Sequence, residues 1–159
     1  MKIEYEPIGV IRSPFNRLEG MPIQPSGAVG VKGTVEIYQK YVDGLKDLND
    51  FSHIILLYHF HQSRGFALQL TPFMDTQHRG LFATRAPRRP NPIGLSIVRL
   101  VCITGGRIAV ENIDVLDKTP LLDVKPYVPA FDRPSGSRAG WLEHVQQNVS
   151  HLKSDSRFK

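Results

Sequence analysis

The chain has 159 residues, 41% of them hydrophobic and 22% charged, with a net charge of +5. That size and balance are ordinary for one globular domain able to bury its own core. No apolar run approaches the roughly 18 residues of a membrane span, the single cysteine excludes an internal disulfide, and the opening residues lack the apolar segment and cleavage site of a secretory leader, so a protein of the reducing cytoplasm is expected.

Residues 3–11 alternate well enough for a strand, which Pro7 and Gly9 mark as an edge or bulged one. Residues 13–30 contain Pro14, Pro22, Pro25, Gly20, Gly27 and Gly30 and read as a long loop, a feature often functional in compact domains. Residues 33–38 form a short strand, and Tyr41, Leu45 and Leu48 predict one or two helical turns over 40–48. The clearest strand is 53–61, HIILLYHFH. Ile54, Leu56, Tyr58 and Phe60 share its core face, and His53, Ile55, Leu57, His59 and His61 the other. Residues 63–77 are irregular, and 80–84 form a strand.

Two further strands, 96–104 and 107–114, flank Gly105-Gly106, a strong hairpin signal. Cys102 sits in the first of them and is expected to be an inert, packed thiol. Residues 117–120 read as a turn, 121–124 as a short strand and 125–133 as an extended segment. Trp141, Val145 and Val149 predict a helix over 138–152, followed by a polar, frayed tail at 153–159. Residues 1–152 thus form one mostly β domain with long loops, a barrel or a sandwich on spacing alone. The strand–helix rhythm and glycine-rich turn of a doubly wound cofactor fold are missing.

The chain is organised around residues 80–96, GLFATRAPRRPNPIGLS. Three prolines between Pro87 and Pro92 fix φ and restrain their neighbours, so the loop is stiff. Gly94 lets the backbone bend or approach a ligand closely. Residues 76–110 hold six arginines and no acid, whereas the flanking segments are nearly neutral. The whole positive charge is therefore concentrated here, in the residue suited to bidentate phosphate or carboxylate contacts. A solvated basic loop is the alternative, but such a loop needs no stiffening. His59 and His61 lie two apart on one strand face, yet no acid or cysteine stands at a recognisable spacing to complete a metal site, and none is expected.

FATRAPRRPNPIGLS, the later DVLDKTPLLDVKPYVP and the early IGVIRSP together resemble the TsaA-like, or TrmO-like, family. The resemblance runs from Ile8 to about Pro129. It implies a closed, single-sheet β-barrel and a homodimer. It also implies an S-adenosylmethionine-dependent methyltransferase acting on threonylcarbamoyl-adenosine beside the tRNA anticodon.

The cofactor site that the resemblance implies comprises Gln24, Pro25, Ser26, His61, Gln62, Arg85, Leu95, Asp117, Lys118, Thr119 and Pro120. Lys118 stands where the family usually has glycine, and would be strained if that position needs positive φ. Arg79, Arg88, Arg89 and His78 are left for RNA phosphates. Tyr127 and Phe131 would either stack on an unpaired base or pack over the barrel. Methyl transfer from a sulfonium asks mainly for positioning, and no catalytic acid–base group is singled out. A non-catalytic RNA-binding barrel and a small-molecule methyltransferase are the rival readings.

Overall fold

Alternation of apolar and polar residues is what lets a sheet bury one face, and here the sheet closes on itself. In the computed structural model, which describes residues 1–145 and 153–155, the strands in chain order are β1 (Gly9–Arg12), β2 (Lys32–Ile37), β3 (His53–His59), β4 (Gln69–Leu70), β5 (Arg79–Gly80), β6 (Ile93–Thr104), β7 (Arg107–Glu111) and β8 (Thr119–Pro126). A closed antiparallel barrel runs β1-β2-β7-β6-β3-β8, and β4 and β5 pair separately. Its interior holds Ile11, Val35, Ile54, Leu56, Val98, Ile108, Val110 and Leu121, all essentially fully buried. Each such aliphatic side chain contributes about 1.5–3 kcal/mol. Among the described residues no helix is long and apolar enough to cross a membrane.

Several local expectations change. β1 begins only at Gly9 and has a partner on each side, so it is no edge; Pro7 has no N–H to carry the ladder further. The expected strand over 80–84 is instead a 3-10 turn, Leu81–Ala83. Thr84 closes it, its backbone N–H and its hydroxyl both donating to the Leu81 carbonyl at 3.0 and 2.8 Å. The turn over 40–48 is also 3-10, Gln39–Leu45. Extension past β8 ends at a short helix, α1 (Pro129–Asp132).

The helix expected over 138–152 is a 3-10 turn at Gly140–His144, and residues 146–152 lie outside the described ones. Tertiary contacts override the periodicity, since the Trp141 indole donates to the Ala83 carbonyl at 2.8 Å and Arg79 lies over its ring. Cys102 is exposed rather than packed. A bulge between Leu100 and Cys102 turns Val101 and Cys102 outward together.

The expected fraying of the tail does not extend to residues 153–155. Lys153 bridges Pro22, and Ser154 exchanges backbone bonds with Gly20 and Met21 at 2.8–3.0 Å. Its hydroxyl also donates to the Leu18 carbonyl.

The barrel has two rims. The ends of β1, β3 and β7 and the starts of β2, β6 and β8 meet at one, with loops 13–31, 60–92 and 112–118 above them. The other rim carries the Gln39–Leu45 turn, the tight Gly105-Gly106 hairpin and α1.

Candidate functional site

The loop-rich rim is laced together by residues that each satisfy a backbone group. Asp117 accepts from the Ser13 N–H at 3.1 Å, and its own N–H donates to the Phe15 carbonyl at 2.7 Å. The Ser13 hydroxyl donates to the Val115 carbonyl at 2.5 Å. Lys118 has φ of 63°, in the left-handed region, and Thr119 then turns back, its hydroxyl donating to the Leu116 carbonyl at 2.7 Å. That hydroxyl also lies 3.3 Å from Nδ1 of His61. The 117–120 turn is thereby fixed against the end of β3.

Beneath the turn lies a narrow hollow of about 80 Å3. Leu18, Met21, Phe60, Pro87, Val115 and Leu116 give it apolar walls, and His61, Gln62, Ser63, Asp114 and Thr119 supply its polar groups, with Tyr58 alongside. The hydrogen bonds of Ser154 hold the Leu18–Met21 side in place.

A buried relay reaches the hollow from inside the barrel. Ser96 donates to Oδ1 of Asp114 at 2.6 Å, and the Tyr58 hydroxyl lies 3.0 Å from Ser96 Oγ. With the serine proton committed to the carboxylate, Tyr58 donates to the serine oxygen. Burial pushes the Asp114 carboxyl up to about 6, against the opposing pull of the Ser96 bond and of the Arg85 charge. Burial also raises the Tyr58 hydroxyl, with Asp114 adding to the effect. His61 is lowered, first by burial and then by the neighbouring His59.

The ring of Tyr58 occupies its place because position 94 has no side chain. A Cβ there would stand 2.2 Å from the ring. Gly94 thus admits an aromatic ring of the same chain, not a bend or a ligand.

Arg85 is exposed and donates through Nη1 to Oε1 of Gln24 at 3.2 Å. Pro25 and Ser26 follow Gln24 in a 3-10 turn, Pro25–Gly27. The Arg85 charge acts on both Tyr58 and Asp114, so its guanidinium stands over the same end of the barrel. The sequence-predicted residues therefore fall into three groups. His61, Gln62 and Thr119 line the hollow, while Asp117, Lys118 and Pro120 form its bordering turn and Gln24, Pro25, Ser26 and Arg85 an adjoining strip. Leu95 stands apart. It pairs with Leu57 on the outer face of the barrel and is exposed, not in the hollow.

The residues set aside for RNA are placed differently from expectation. Arg89 donates through Nη1 to the carbonyls of Leu81, Thr84 and Ala86 at 3.4, 2.9 and 3.3 Å, and so caps the Arg–Pro loop from within. The prolines remove donors from this segment, and the guanidinium supplies them. Arg88 donates to the Arg64 carbonyl at 3.1 Å, and Arg79 pairs with Asp75 at 2.6 Å. His78 is exposed. Tyr127 packs edge-on against His53 at the opposite rim, as its N–H bonds to the His53 carbonyl. The length of β8, eight residues at about 3.3 Å each, separates it from the hollow. Phe131, on α1, is likewise at that rim and exposed.

Asp114, Ser96 and Tyr58 escaped the reading of the sequence. The available signal was a lone carboxylate in the apolar run Ile113–Leu116, but its pairing to Ser96 across 18 positions is visible only in the fold.

Residues 10–133 match the family model of the tRNA-methyltransferase O N-terminal domain. A probable S-adenosyl-L-methionine-binding protein of Pyrococcus abyssi is 49% identical over 99% of this chain and 86% of its own length. The human tRNA (adenine(37)-N6)-methyltransferase is 32% identical over 96% of this chain, which spans 37% of that protein. The crystal structure of TrmO from Pseudomonas aeruginosa superposes with a TM-score of 0.74 at 40% identity, covering 89% of this chain and 63% of that one. A barrel closed in this order, the Arg–Pro loop and the 117–120 turn on one rim, and these matches place the chain in the tRNA-methyltransferase O family, by its N-terminal domain.

Proposed function

We propose that the protein transfers the methyl group of S-adenosyl-L-methionine to the exocyclic amine of threonylcarbamoyl-adenosine beside the tRNA anticodon, as a cytoplasmic homodimer. The observation that carries this reading is the convergence of the Arg85–Gln24 pair and the Asp117–Pro120 turn on one rim, around one hollow. The names of the relatives point the same way: one binds S-adenosyl-L-methionine, and another methylates N6 of a tRNA adenine.

The donor set suits such a cofactor. Arg85 offers a guanidinium for a carboxylate. His61 and Gln62 offer the mixed donors and acceptors that read an adenine edge or a ribose. A volume of about 80 Å3 takes only one part of so large a molecule, since pockets that engulf such ligands run to about 300–1,000 Å3. The remainder would lie along the rim. When bound, the cofactor supplies an electrophilic methyl group, and the protein supplies placement.

RNA would meet the flap over this rim. Phe82, Phe66 and Leu68 are exposed there at 77%, 57% and 63%, and the Leu81 N–H holds the Leu68 carbonyl at 2.9 Å. Exposed Arg64 sits beside them in the chain. Aromatic faces next to guanidinium groups are what an unstacked base needs, and Phe82 serves better than the distant Tyr127. A second copy fits the outer side of β6, where Ile93, Leu95, Ile97 and Val101 are exposed in a row.

S-adenosyl-L-methionine is expected to raise the melting temperature, and Arg85→Ala to abolish that rise with little change in the ligand-free melt. Incubation with unmethylated tRNA should then yield a methylated nucleoside by mass. If the ligand leaves the melting curve unmoved, the cofactor assignment fails. If it binds and no tRNA nucleoside gains a methyl group, the substrate assignment fails.

A further inference from the structure

Asp114 is a partly buried carboxylate that the roles above leave unused. It holds Ser96 and indirectly Tyr58, and among the described residues no ion pair includes it. Its side chain reaches the wall of a hollow that is otherwise largely hydrocarbon. Two aromatic rings stand in the same wall, Tyr58 and Phe60, edge to face with centroids 5.4 Å apart. A carboxylate with aromatic faces beside it, in a space of about 80 Å3, is the constellation that receives a small alkylated cation. The rings attract positive charge through their quadrupoles, and desolvation strengthens the attraction.

We propose that Asp114, with Tyr58 and Phe60, is the seat of the sulfonium centre of S-adenosyl-L-methionine. This rests on the cofactor reading above and assigns which part of that molecule enters the hollow. A trialkyl sulfonium is small, positively charged and has no proton to donate. It therefore asks for a negative oxygen and polarisable faces, not for a hydrogen-bond partner. The amino-acid end and the adenosine, which do ask for hydrogen bonds, are left to the rim with its Arg85, His61, Gln62 and Thr119 side chains.

The Tyr58–Ser96 relay makes Asp114 suitable. Two hydroxyls in series orient the carboxylate and keep it anionic despite burial near neutral pH. The groups that face Asp114 are Tyr58 from β3, Ser96 from β6, Arg85 from the Arg–Pro loop, and His61 across the hollow.

The test compares S-adenosyl-L-methionine with S-adenosylhomocysteine, which shares the adenosine, ammonium and carboxylate but has a neutral sulfur. Calorimetric titration of the full chain is expected to show tighter binding of the sulfonium ligand at about pH 8. That preference should shrink by about tenfold or more as Asp114 takes up its proton below its pKa of about 6. Asp114→Asn should lose the preference at every pH while binding S-adenosylhomocysteine within about twofold of wild type. His61→Asn removes the imidazole of the same hollow, whose pKa is lowered by burial and by His59, and should retain the pH-dependent preference. It decides the matter alone should Asp114→Asn not fold.

A preference that survives in Asp114→Asn, or that loses its pH dependence in His61→Asn, overturns the seat and leaves the cofactor reading standing. Equal binding of the two ligands by wild type at about pH 8 overturns it as well. If wild type binds neither ligand, the cofactor reading itself has failed, and the seat with it.

Discussion

At the rim away from Asp114 a hollow of about 420 Å3 opens between Ile37, Tyr41, Leu45, Leu48 and Val124; at the loop-rich rim the hollow is about 80 Å3. Volume alone would choose the first. Yet its two carboxylates are Asp47 and Asp123, the second paired with Lys125 at 2.7 Å, and among the described residues no buried side-chain hydrogen bond reaches either. The small hollow has a partly buried acid of raised pKa, two hydroxyls in series and a histidine of lowered pKa. Backbone strain follows the same division. Asp47 at the wide rim has φ of 65°, a conformation aspartate tolerates, whereas Lys118 at the narrow one has φ of 63° without that tolerance. Sites are recognised by what they constrain, and the two ends of one barrel separate constraint from space.

The largest effect that would sharpen this contrast is the pH dependence written into Asp114. Its carboxyl titrates near 3.8 when unfolded and at about 6 when folded. Between those values the folded state binds the extra proton, so stability falls as pH rises from about 4 to about 6. At about 1.4 kcal/mol per pK unit the fall amounts to up to about 3 kcal/mol, with no further loss above that range. Asp75 has the opposite sign. The hydrogen bond from Arg79 holds its carboxyl low, so its contribution is present at neutral pH and is lost only in strong acid, as pH drops through the lowered pKa. Urea unfolding across about pH 4 to 8 should show the fall in wild type and none in Asp114→Asn. A flat wild-type profile between about pH 4 and 6 would contradict the raised pKa of that acid.

A methyl group placed at either rim probes the same difference by packing. Gly94→Ala drives a Cβ to 2.2 Å from the Tyr58 ring, whereas at Gly44 nothing stands within 4 Å. Overpacking of the first kind costs about 1–3 kcal/mol, or about 2–4 °C of melting temperature per kcal/mol in a chain of this size. Gly44→Ala, in the Gln39–Leu45 turn, is expected to be neutral or to stabilise by up to about 1 kcal/mol. Equal melting temperatures for the two variants would mean that Tyr58 is not wedged over position 94.

What could be read in the sequence follows from where each constraint lies along the chain. The strand expected over 53–61 and the Gly105-Gly106 hairpin are local patterns: the first ends two residues early, and the second turns at the expected glycines with each strand's outer end shifted by three residues. The motif residues of the loop-rich rim were legible through family resemblance, because their meaning lies in residue identity. Leu81–Ala83 was not legible: its apolar side chains read as strand, but the Arg–Pro loop must reverse there, and Thr84 and Arg89 supply the hydrogen bonds that hold it. The arginines read as free cations for the same reason. Nothing in a linear string shows that proline-rich backbone carbonyls will recruit Arg89. Asp114 and Ser96 meet through the barrel register, so burial and pKa were invisible until the sheet closed.

The smallest expected effect isolates strain from packing. Lys118 is exposed, so replacing it removes little buried surface, and the conformational term dominates. Holding a lysine at φ of 63° sets its Cβ against the following carbonyl oxygen, at a cost of about 1–2 kcal/mol that glycine does not incur. Glycine has a more flexible unfolded chain, which returns about 0.5–1 kcal/mol. Lys118→Gly should therefore stabilise the protein by about 0.5–1 kcal/mol. Asp47→Gly, at the wide rim, should gain less or nothing, because aspartate already tolerates that conformation. Thermal melts of both variants decide the point. If Lys118→Gly loses stability, the lysine side chain makes a favourable contribution at the turn that outweighs its backbone strain, and the turn does not need glycine to close over Thr119 and His61.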